Sequence, residues 1–86
     1  MRVRLPTPVA QYTRGARDVE AEGESLAELL DDLDRRHPGL RFRLVDEQGA
    51  IRPHIRIFVN REMVRSLGAR LAPADEVLVV AALSGG

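Results

Sequence analysis

The residues with the clearest chemical potential close the chain, where Ser84 is followed by Gly85 and Gly86. Glycine has no β-carbon, so two in succession form a thin, mobile segment that fits a slot too narrow for any side chain. Two final glycines are expected by chance in roughly one chain in two hundred. If the terminal carboxylate of Gly86 is the working group, residues 84–86 are the flexible tail that it needs. The rest of the chain has to support that hypothesis.

Other reactive groups are scarce. The sequence has no cysteine, which excludes disulfides, thiolate metal sites, a cysteine nucleophile and a side-chain persulfide. His37 and His54 are the only histidines, and a zinc site would need distant carboxylates to complete it. We expect His37 to end a helix, where the helix dipole favours a basic side chain, and His54 to lie on the surface. No metal site is predicted.

Enzyme catalysis is equally unsupported. A chain of 86 residues is too small for a deep catalytic cleft, and it contains no Ser-His-Asp set or phosphate-binding glycine loop. Asp31, Asp32 and Asp34 could suggest a metal site, but neighbouring residues of a helix point in different directions. We therefore expect these three side chains on the solvated side of the helix. The protein is predicted to act together with enzymes and not as one.

The overall charge excludes two classes of partner. The 13 acidic residues balance the 13 basic ones, and with one Tyr, two Phe and no Trp there are few platforms for base stacking. We therefore predict no nucleic-acid binding and no attraction to an anionic membrane. The longest apolar run is about seven residues, far short of a bilayer span, so a soluble cytoplasmic protein is expected. Lysine is absent, so the protein cannot be conjugated on its own lysines.

Three elements that would position the tail are predicted in the first half of the chain. Residues 1–5 and 17–22 alternate apolar and charged residues and predict two strands of a hairpin with a long turn. Ser25 and Glu28 form a capping box, and a leucine stripe with helical spacing follows. Pro38 and Gly39 end this helix.

The second half predicts the remaining strands. Residues 40–53 are expected to form an irregular or short-strand connection, and residues 55–59 form a strand. Asn60-Arg61 predicts a tight turn into a short return strand at 63–65, and the apolar run at 77–83 predicts the final strand. This order gives an α+β fold, with one mixed sheet of four to five strands on one main helix. A final strand between the first and third makes it a β-grasp, ubiquitin-like arrangement.

Taken together, these segments resemble one known family. The ordered set of residues 55–60, Val64-Arg65, Asp75-Glu76-Val77 and Gly85-Gly86 is similar to the MoaD/ThiS family of ubiquitin-like sulfur carrier proteins. The resemblance covers nearly the whole chain and implies one domain over residues 1–86. One departure is Ala74, where the family often has glycine in the turn before the acidic residue.

The resemblance implies a cycle carried by Gly86. A ubiquitin-activating-type adenylyltransferase would use ATP to convert the Gly86 carboxylate to an acyl-adenylate, with no cofactor bound to the carrier itself. A sulfur donor protein would replace AMP and leave a thiocarboxylate. A sulfur-accepting synthase would then take the sulfur into cysteine, a thiamine-like compound or a secondary metabolite. Gly85 would thread the slot of each enzyme.

The alternation of the strands predicts a docking surface for these partners. If Ile55, Ile57 and Val59 face the helix, the outward residues of the same strand include Arg56 and Phe58. The final strand would add further outward apolar residues, namely Leu78, Val80 and Leu83. An outward Phe is explained by partner docking, although a solitary exposed apolar residue is common. Arg2, Arg4, Arg56 and Arg65 are either a cluster for an acidic partner or ordinary surface charge.

Several functions remain open on sequence alone. The protein is a sulfur carrier for biosynthesis, the small subunit of molybdopterin synthase in molybdenum cofactor biosynthesis, a ubiquitin-like protein modifier, or a β-grasp interaction module with incidental glycines. The extended segment 39–53 resembles the longer family members linked to cysteine-type synthesis more than the compact molybdopterin subunits. We therefore favour the first of these.

Overall fold

The computed structural model describes residues 1–82 of the 86. Within them, a five-stranded sheet has the order β2-β1-β5-β3-β4. Strands β1 and β5 are parallel, and the other neighbours are antiparallel. The elements in chain order are β1 (Arg2–Arg4), a 3₁₀ helix (Thr7–Thr13), β2 (Asp18–Glu20), α1 (Leu26–Arg36), α2 (Leu40–Leu44), β3 (Ile55–Val59), β4 (Glu62–Val64) and β5 (Val77–Ala81). The final strand lies between the first and third, so the predicted β-grasp fold is confirmed.

One face of the sheet and one stripe of α1 form the core. In β5, Val77 and Val79 are buried, while Leu78 and Val80 between them are exposed, as strand alternation predicts. In α1 the buried apolar side chains recur with helical spacing and pack with the sheet residues in a single cluster. They are Leu26, Leu29, Leu30 and Leu33. The core therefore takes one side of the sheet and leaves the other side to solvent.

The start of α1 follows the predicted capping box with one difference. The Ser25 hydroxyl accepts a hydrogen bond from the Glu28 N–H at 3.2 Å, as expected for the first residue before a helix. The Glu28 carboxylate accepts from the N–H of Glu24, at 3.0 Å, one residue before the position that a standard capping box uses. Both interactions satisfy donors that would otherwise lack a partner at the beginning of the helix.

The placement of Asp32 on the solvated side of α1 was wrong. Asp32 is buried, and its Oδ2 accepts the Glu22 N–H at 2.8 Å and the Arg36 Nε–H at 2.9 Å. Its other oxygen pairs with Arg35. The Glu22 N–H, followed by the two arginines, holds the pKa of Asp32 below its usual range despite its desolvation. The residue thus connects the segment after β2 to the side of α1.

The first residues of the connection after α1 were also predicted incorrectly, whereas residues 45–53 are irregular, as predicted. Residues 40–44 form the short helix α2, which begins after Gly39 in a left-handed conformation with φ +95°. Leu40 and Leu44 are buried because they share one helical face. Phe42 lies on the other face and is 58% exposed, with the Arg52 guanidinium 4.5 Å from its ring centre. A pattern that alternates over five residues is compatible with a strand, and the packing selects the helix.

The turn between β3 and β4 also fixes the beginning of β5. Asn60 and Arg61 have φ of 49° and 74°, which matches the predicted tight hairpin turn. The Asn60 side chain donates to Asp75 at 2.8 Å and accepts the Glu76 N–H at 3.0 Å. The Ala72 N–H and then Asn60 hold the pKa of Asp75 below its usual range. Ala74 has no positive φ, so its turn does not require the glycine of the family pattern.

No helix in the described part of the chain is long and apolar enough to span a membrane. The longest helix among residues 1–82, α1, has 11 residues. Among the same residues, no group of three or more histidine and carboxylate side chains is placed to hold a metal ion.

Candidate docking face and tail exit

The central strand β5 carries the chain toward its C-terminus. Its last residues pair with the beginning of β3, and the Ala82 N–H donates to the His54 carbonyl at 2.7 Å. The described part of the chain therefore ends beside residue 54, after the central strand, and we call this point the tail exit. The predicted roles of Leu83, Gly85 and Gly86 concern residues outside the described part and stay predictions, as does the flexibility of the tail.

The outer face of the sheet carries a row of apolar side chains directly beside this exit. Phe58 lies opposite Met63 on β4 and opposite Leu78 on β5. Met63 is 40% exposed, Leu78 is 39% exposed and Val80, two residues further along β5, is 37% exposed. We call these four residues the apolar row. They are the apolar members of the solvent-facing side, and they leave a connected patch on three strands.

Phe58 lies on the outward face of β3, and its ring is half-buried there. Phe58 is half-buried because its cross-strand neighbours Met63 and Leu78 cover its sides. Phe58 is therefore not a solitary apolar residue, since Met63 and Leu78 lie opposite it on the neighbouring strands. That a partner docks there stays a prediction.

Met63 is a member of the apolar row that sequence reasoning missed. The signal was present in the two-residue turn at Asn60-Arg61, because such a turn pairs the residues on either side of it, Val59 with Glu62. Counting one step further places Met63 opposite Phe58 on the same face. The residue was instead assigned only to a return strand.

Charged residues border the apolar row on two sides. Leu78 lies opposite Arg4, which pairs with Asp18 at 3.3 Å, and Arg2 pairs with Glu76 at 3.4 Å. These pairs are largely exposed and contribute little to stability. Arg56 is exposed and lies opposite Val80, where its Nη1 donates to the Pro53 carbonyl at 2.6 Å. Arg2 and Arg4 thus have carboxylate partners within the chain, and a cluster of the four arginines for an acidic partner stays a prediction.

A sequence model of the ThiS family matches residues 3–86 of this chain. Among curated proteins, the sulfur carrier protein CysO of Mycobacterium tuberculosis is 33% identical over 89 aligned residues. The alignment covers 98% of this chain and 96% of that relative. The CysO of Mycobacterium bovis matches with the same identity and coverage.

Solved structures give the same result for the fold. A chain in the BexX/CysO complex of Amycolatopsis orientalis has a TM-score of 0.91 and 35% identity, covering 99% of this chain and 98% of its own. CysO of Mycobacterium tuberculosis has a TM-score of 0.90 and 31% identity, with 95% of this chain and 98% of that chain covered. SAMP1 of Haloferax volcanii has a TM-score of 0.78 and 30% identity, covering 100% of this chain and 98% of its own.

Proposed function

Since the chain belongs to the ThiS family, we propose that it is a sulfur carrier whose Gly86 carboxylate is converted to a thiocarboxylate. The observation that carries the proposal is the similarity to CysO sulfur carrier proteins over 98% of this chain. The fold supports the proposal, because β5, the strand that precedes the tail, is paired on both sides at the centre of the sheet and so gives the tail a rigid base. The protein is then a co-substrate of enzymes.

The chemistry at Gly86 proceeds in three steps. A carboxylate oxygen of Gly86 attacks the α-phosphate of ATP on an adenylyltransferase, which forms the acyl-adenylate and releases pyrophosphate. A sulfide supplied by a donor protein attacks the carbonyl carbon, and AMP leaves with the electrons of the broken C–O bond. An accepting synthase takes the sulfur, and oxygen from water restores the carboxylate. Every step occurs at the terminus, which suits a chain that has no cysteine to hold sulfur elsewhere.

The accepting enzyme belongs to the synthesis of cysteine or of a secondary metabolite in this proposal. The relatives at 33% identity are named CysO, and the chain with a TM-score of 0.91 comes from a BexX/CysO complex. The long connection after α1, which contains α2 (Leu40–Leu44), also supports cysteine-type synthesis, since it resembles the longer family members linked to that synthesis. The alternative as a small subunit of molybdopterin synthase has no comparable support.

The enzymes that load and unload the tail dock on the apolar row in this proposal. The predicted contacts Phe58, Leu78 and Val80 share one face with Met63, and the row ends where the tail departs. Aromatic residues and Met are enriched at the desolvated centres of interfaces, where a few residues contribute most of the binding energy. Arg56 borders this face, and Leu83 would extend it toward the tail.

The proposal is tested by the intact mass of the protein after incubation with its adenylyltransferase, ATP and a sulfur donor. We expect a mass increase equal to the replacement of one oxygen by sulfur, located at the C-terminal peptide. A variant that lacks Gly86 is the matched control, because the change lies outside residues 1–82 and leaves the sheet intact. An unmodified wild-type mass under these conditions would contradict the sulfur carrier function.

A second function, protein modification, has one specific observation in its favour. The chain is 30% identical to SAMP1 of Haloferax volcanii, whose name in full, small archaeal modifier protein 1, describes a modifier. The same activated Gly86 would form an isopeptide bond with lysines of other proteins. Conjugates detected in cell lysate that disappear when Gly86 is deleted would support this function.

A further inference from the structure

Three arginines near the tail exit have no carboxylate partner among residues 1–82. Arg52, Arg56 and Arg65 line one groove of about 560 Å³, and none of the residues that the structure places along it is acidic. We call it the basic groove. Other arginines of the chain do pair with carboxylates, namely Arg2, Arg4, Arg35, Arg36 and Arg41. The three positive charges of the basic groove are therefore not compensated locally, although the chain has as many acidic as basic residues.

Two of these guanidinium groups are held in place by uncharged groups. Arg52 Nε donates to the Phe42 carbonyl at 2.7 Å, and its guanidinium stacks on the Phe42 ring. Arg56 Nη1 donates to the carbonyls of Pro53 at 2.6 Å and Ile55 at 3.0 Å. A carbonyl orients a guanidinium without neutralising it, and it leaves the other N–H groups for a ligand. Binding to side chains that are already oriented costs less conformational entropy.

The floor of the basic groove is apolar. Ile51 and Val64 line it, and both are half-buried side chains that pack against the core. Met63 marks its border with the apolar row, and the three guanidinium groups lie outside that row. A cationic rim around an apolar floor fits a protein segment that carries acidic side chains beside an apolar one. A free phosphate ion would leave the apolar floor uncovered.

The basic groove lies beside the tail exit. Arg52 and Arg56 are each two residues from His54, whose carbonyl accepts the Ala82 N–H at 2.7 Å. Arg56 also lies opposite Val80 on β5. An enzyme that takes up the tail has to approach this end of the sheet, so the basic groove lies in the path of such an enzyme.

The opposite end of β5 has the opposite charge. A second groove lies beside residues 71–73, before β5 begins, and its charged lining is mostly acidic. Its acidic residues are Glu22, Glu24, Glu28, Asp31 and Asp32. An acidic surface on a partner therefore attracts the end of the carrier that has the tail exit and repels the other end, so association is oriented before contact.

We propose that the basic groove binds an acidic segment of the sulfur-accepting synthase and so directs the thiocarboxylate tail toward the acceptor. The proposal rests on the sulfur carrier function above. Ile51 and Arg52 belong to the long connection after α1, on which the choice of accepting enzyme also rests. The adenylyltransferase performs the same reaction whatever the product, whereas the synthase has to select its carrier. Charge complementarity at the basic groove supplies that selection.

The test measures sulfur transfer to the synthase from four thiocarboxylated carriers: wild type, Arg65→Gln, the double variant Arg56→Gln/Arg65→Gln, and Arg70→Gln. We expect Arg65→Gln to raise the KM for the carrier about fivefold and the double variant to raise it at least about tenfold. Both effects should shrink between about 0.05 and 0.5 M NaCl, because salt screens exposed charges. Arg70→Gln is the matched control and keeps the wild-type KM, since it loses the same charge from an exposed residue at the acidic end.

The outcomes separate this inference from the proposed function. Thermal unfolding shows that each variant is folded, and intact mass shows that each is charged. Wild-type KM values for Arg65→Gln and the double variant would overturn the role of the basic groove and leave the carrier function intact. Charging that slows as much as sulfur transfer would assign the groove to the adenylyltransferase instead. A KM below the wild-type value would show that the arginines hold the carrier's own tail, which also overturns the synthase as occupant. A wild-type carrier that is never charged would remove both proposals.

Discussion

Phe58 shows how single side chains build the proposed docking face. Met63 and Leu78 lie opposite it on two different neighbouring strands. Each of these two side chains is about two-fifths exposed, so an enzyme that covers the row removes apolar surface from water without unfolding anything. Phe42 is more exposed but has no such neighbours on a strand, and Arg52 already stacks on it. Exposure alone therefore does not define the docking face.

Truncation of the apolar row is expected to weaken binding to the adenylyltransferase. Met63→Ala and Leu78→Ala should each raise the Kd at least about fivefold, the usual loss at the centre of an interface. Isothermal titration calorimetry measures this, and Phe42→Ala is the control that removes an equally apolar side chain elsewhere. If Phe42→Ala weakens binding as much as the other two, the enzyme does not dock specifically on the row.

At the scale of elements, Gly23 determines how closely the segment after β2 approaches α1. A β-carbon added at this position would lie 2.5 Å from the Leu29 nitrogen and 2.9 Å from the Glu28 carbonyl carbon, both of which are backbone atoms. Backbone cannot move aside as a side chain can. The close approach also brings the neighbouring Glu22 N–H to Asp32 on α1. The glycine is therefore required by packing and not by a positive φ.

Gly23→Ala is expected to lower the free energy of unfolding by about 1–3 kcal/mol, as overpacking does in other cores. Gly68→Ala is the matched control, because its β-carbon would meet only the Ser66 hydroxyl, at 3.4 Å. We expect that variant to stay within about 0.5 kcal/mol of wild type. Urea denaturation measures both, and equal losses would show that the approach of Gly23 to α1 does not limit the packing.

At the scale of the whole molecule, three carboxylates accept hydrogen bonds from backbone N–H groups in the segments between the strands. Asp32 holds the chain after β2, Asp75 holds the loop before β5, and Asp46 closes the turn after α2. The pKa of Asp46 lies below its usual range, chiefly because its carboxylate accepts the Ala50 N–H. The pKa values of all three are lowered on folding, so their ionised forms stabilise the folded state.

The free energy of unfolding should therefore decrease in acid. The contribution of a carboxyl group with a lowered pKa is complete above its unfolded value of about 4 and is lost as the pH falls through the folded value. Urea denaturation between neutral pH and about pH 2.5 should show this decrease, and Asp32→Asn should make it smaller. Ser25→Ala is the control, because loss of a helix cap costs about 1 kcal/mol at every pH. A decrease that is the same in Asp32→Asn and wild type would contradict the role of Asp32.

Local sequence was sufficient for those features that depend on neighbouring residues. The capping box at Ser25, the leucine stripe, the Asn60-Arg61 turn and the alternation of the strands are set by rules that act over a few residues. Their order, together with the family resemblance, predicted the β-grasp fold and which side chains of β3 and β5 face outward. The Gly85-Gly86 ending and the absence of cysteine are likewise properties of the sequence alone.

The tertiary structure decided what depends on distant parts of the chain. Asp32 is buried because Glu22 reaches it from the end of the hairpin, and residues 40–44 are helical because Leu40 and Leu44 pack together into the core. Met63 joins the apolar row through the register between β3 and β4. The periodicity of a sequence indicates which face of an element is apolar. It does not indicate which other element packs against that face.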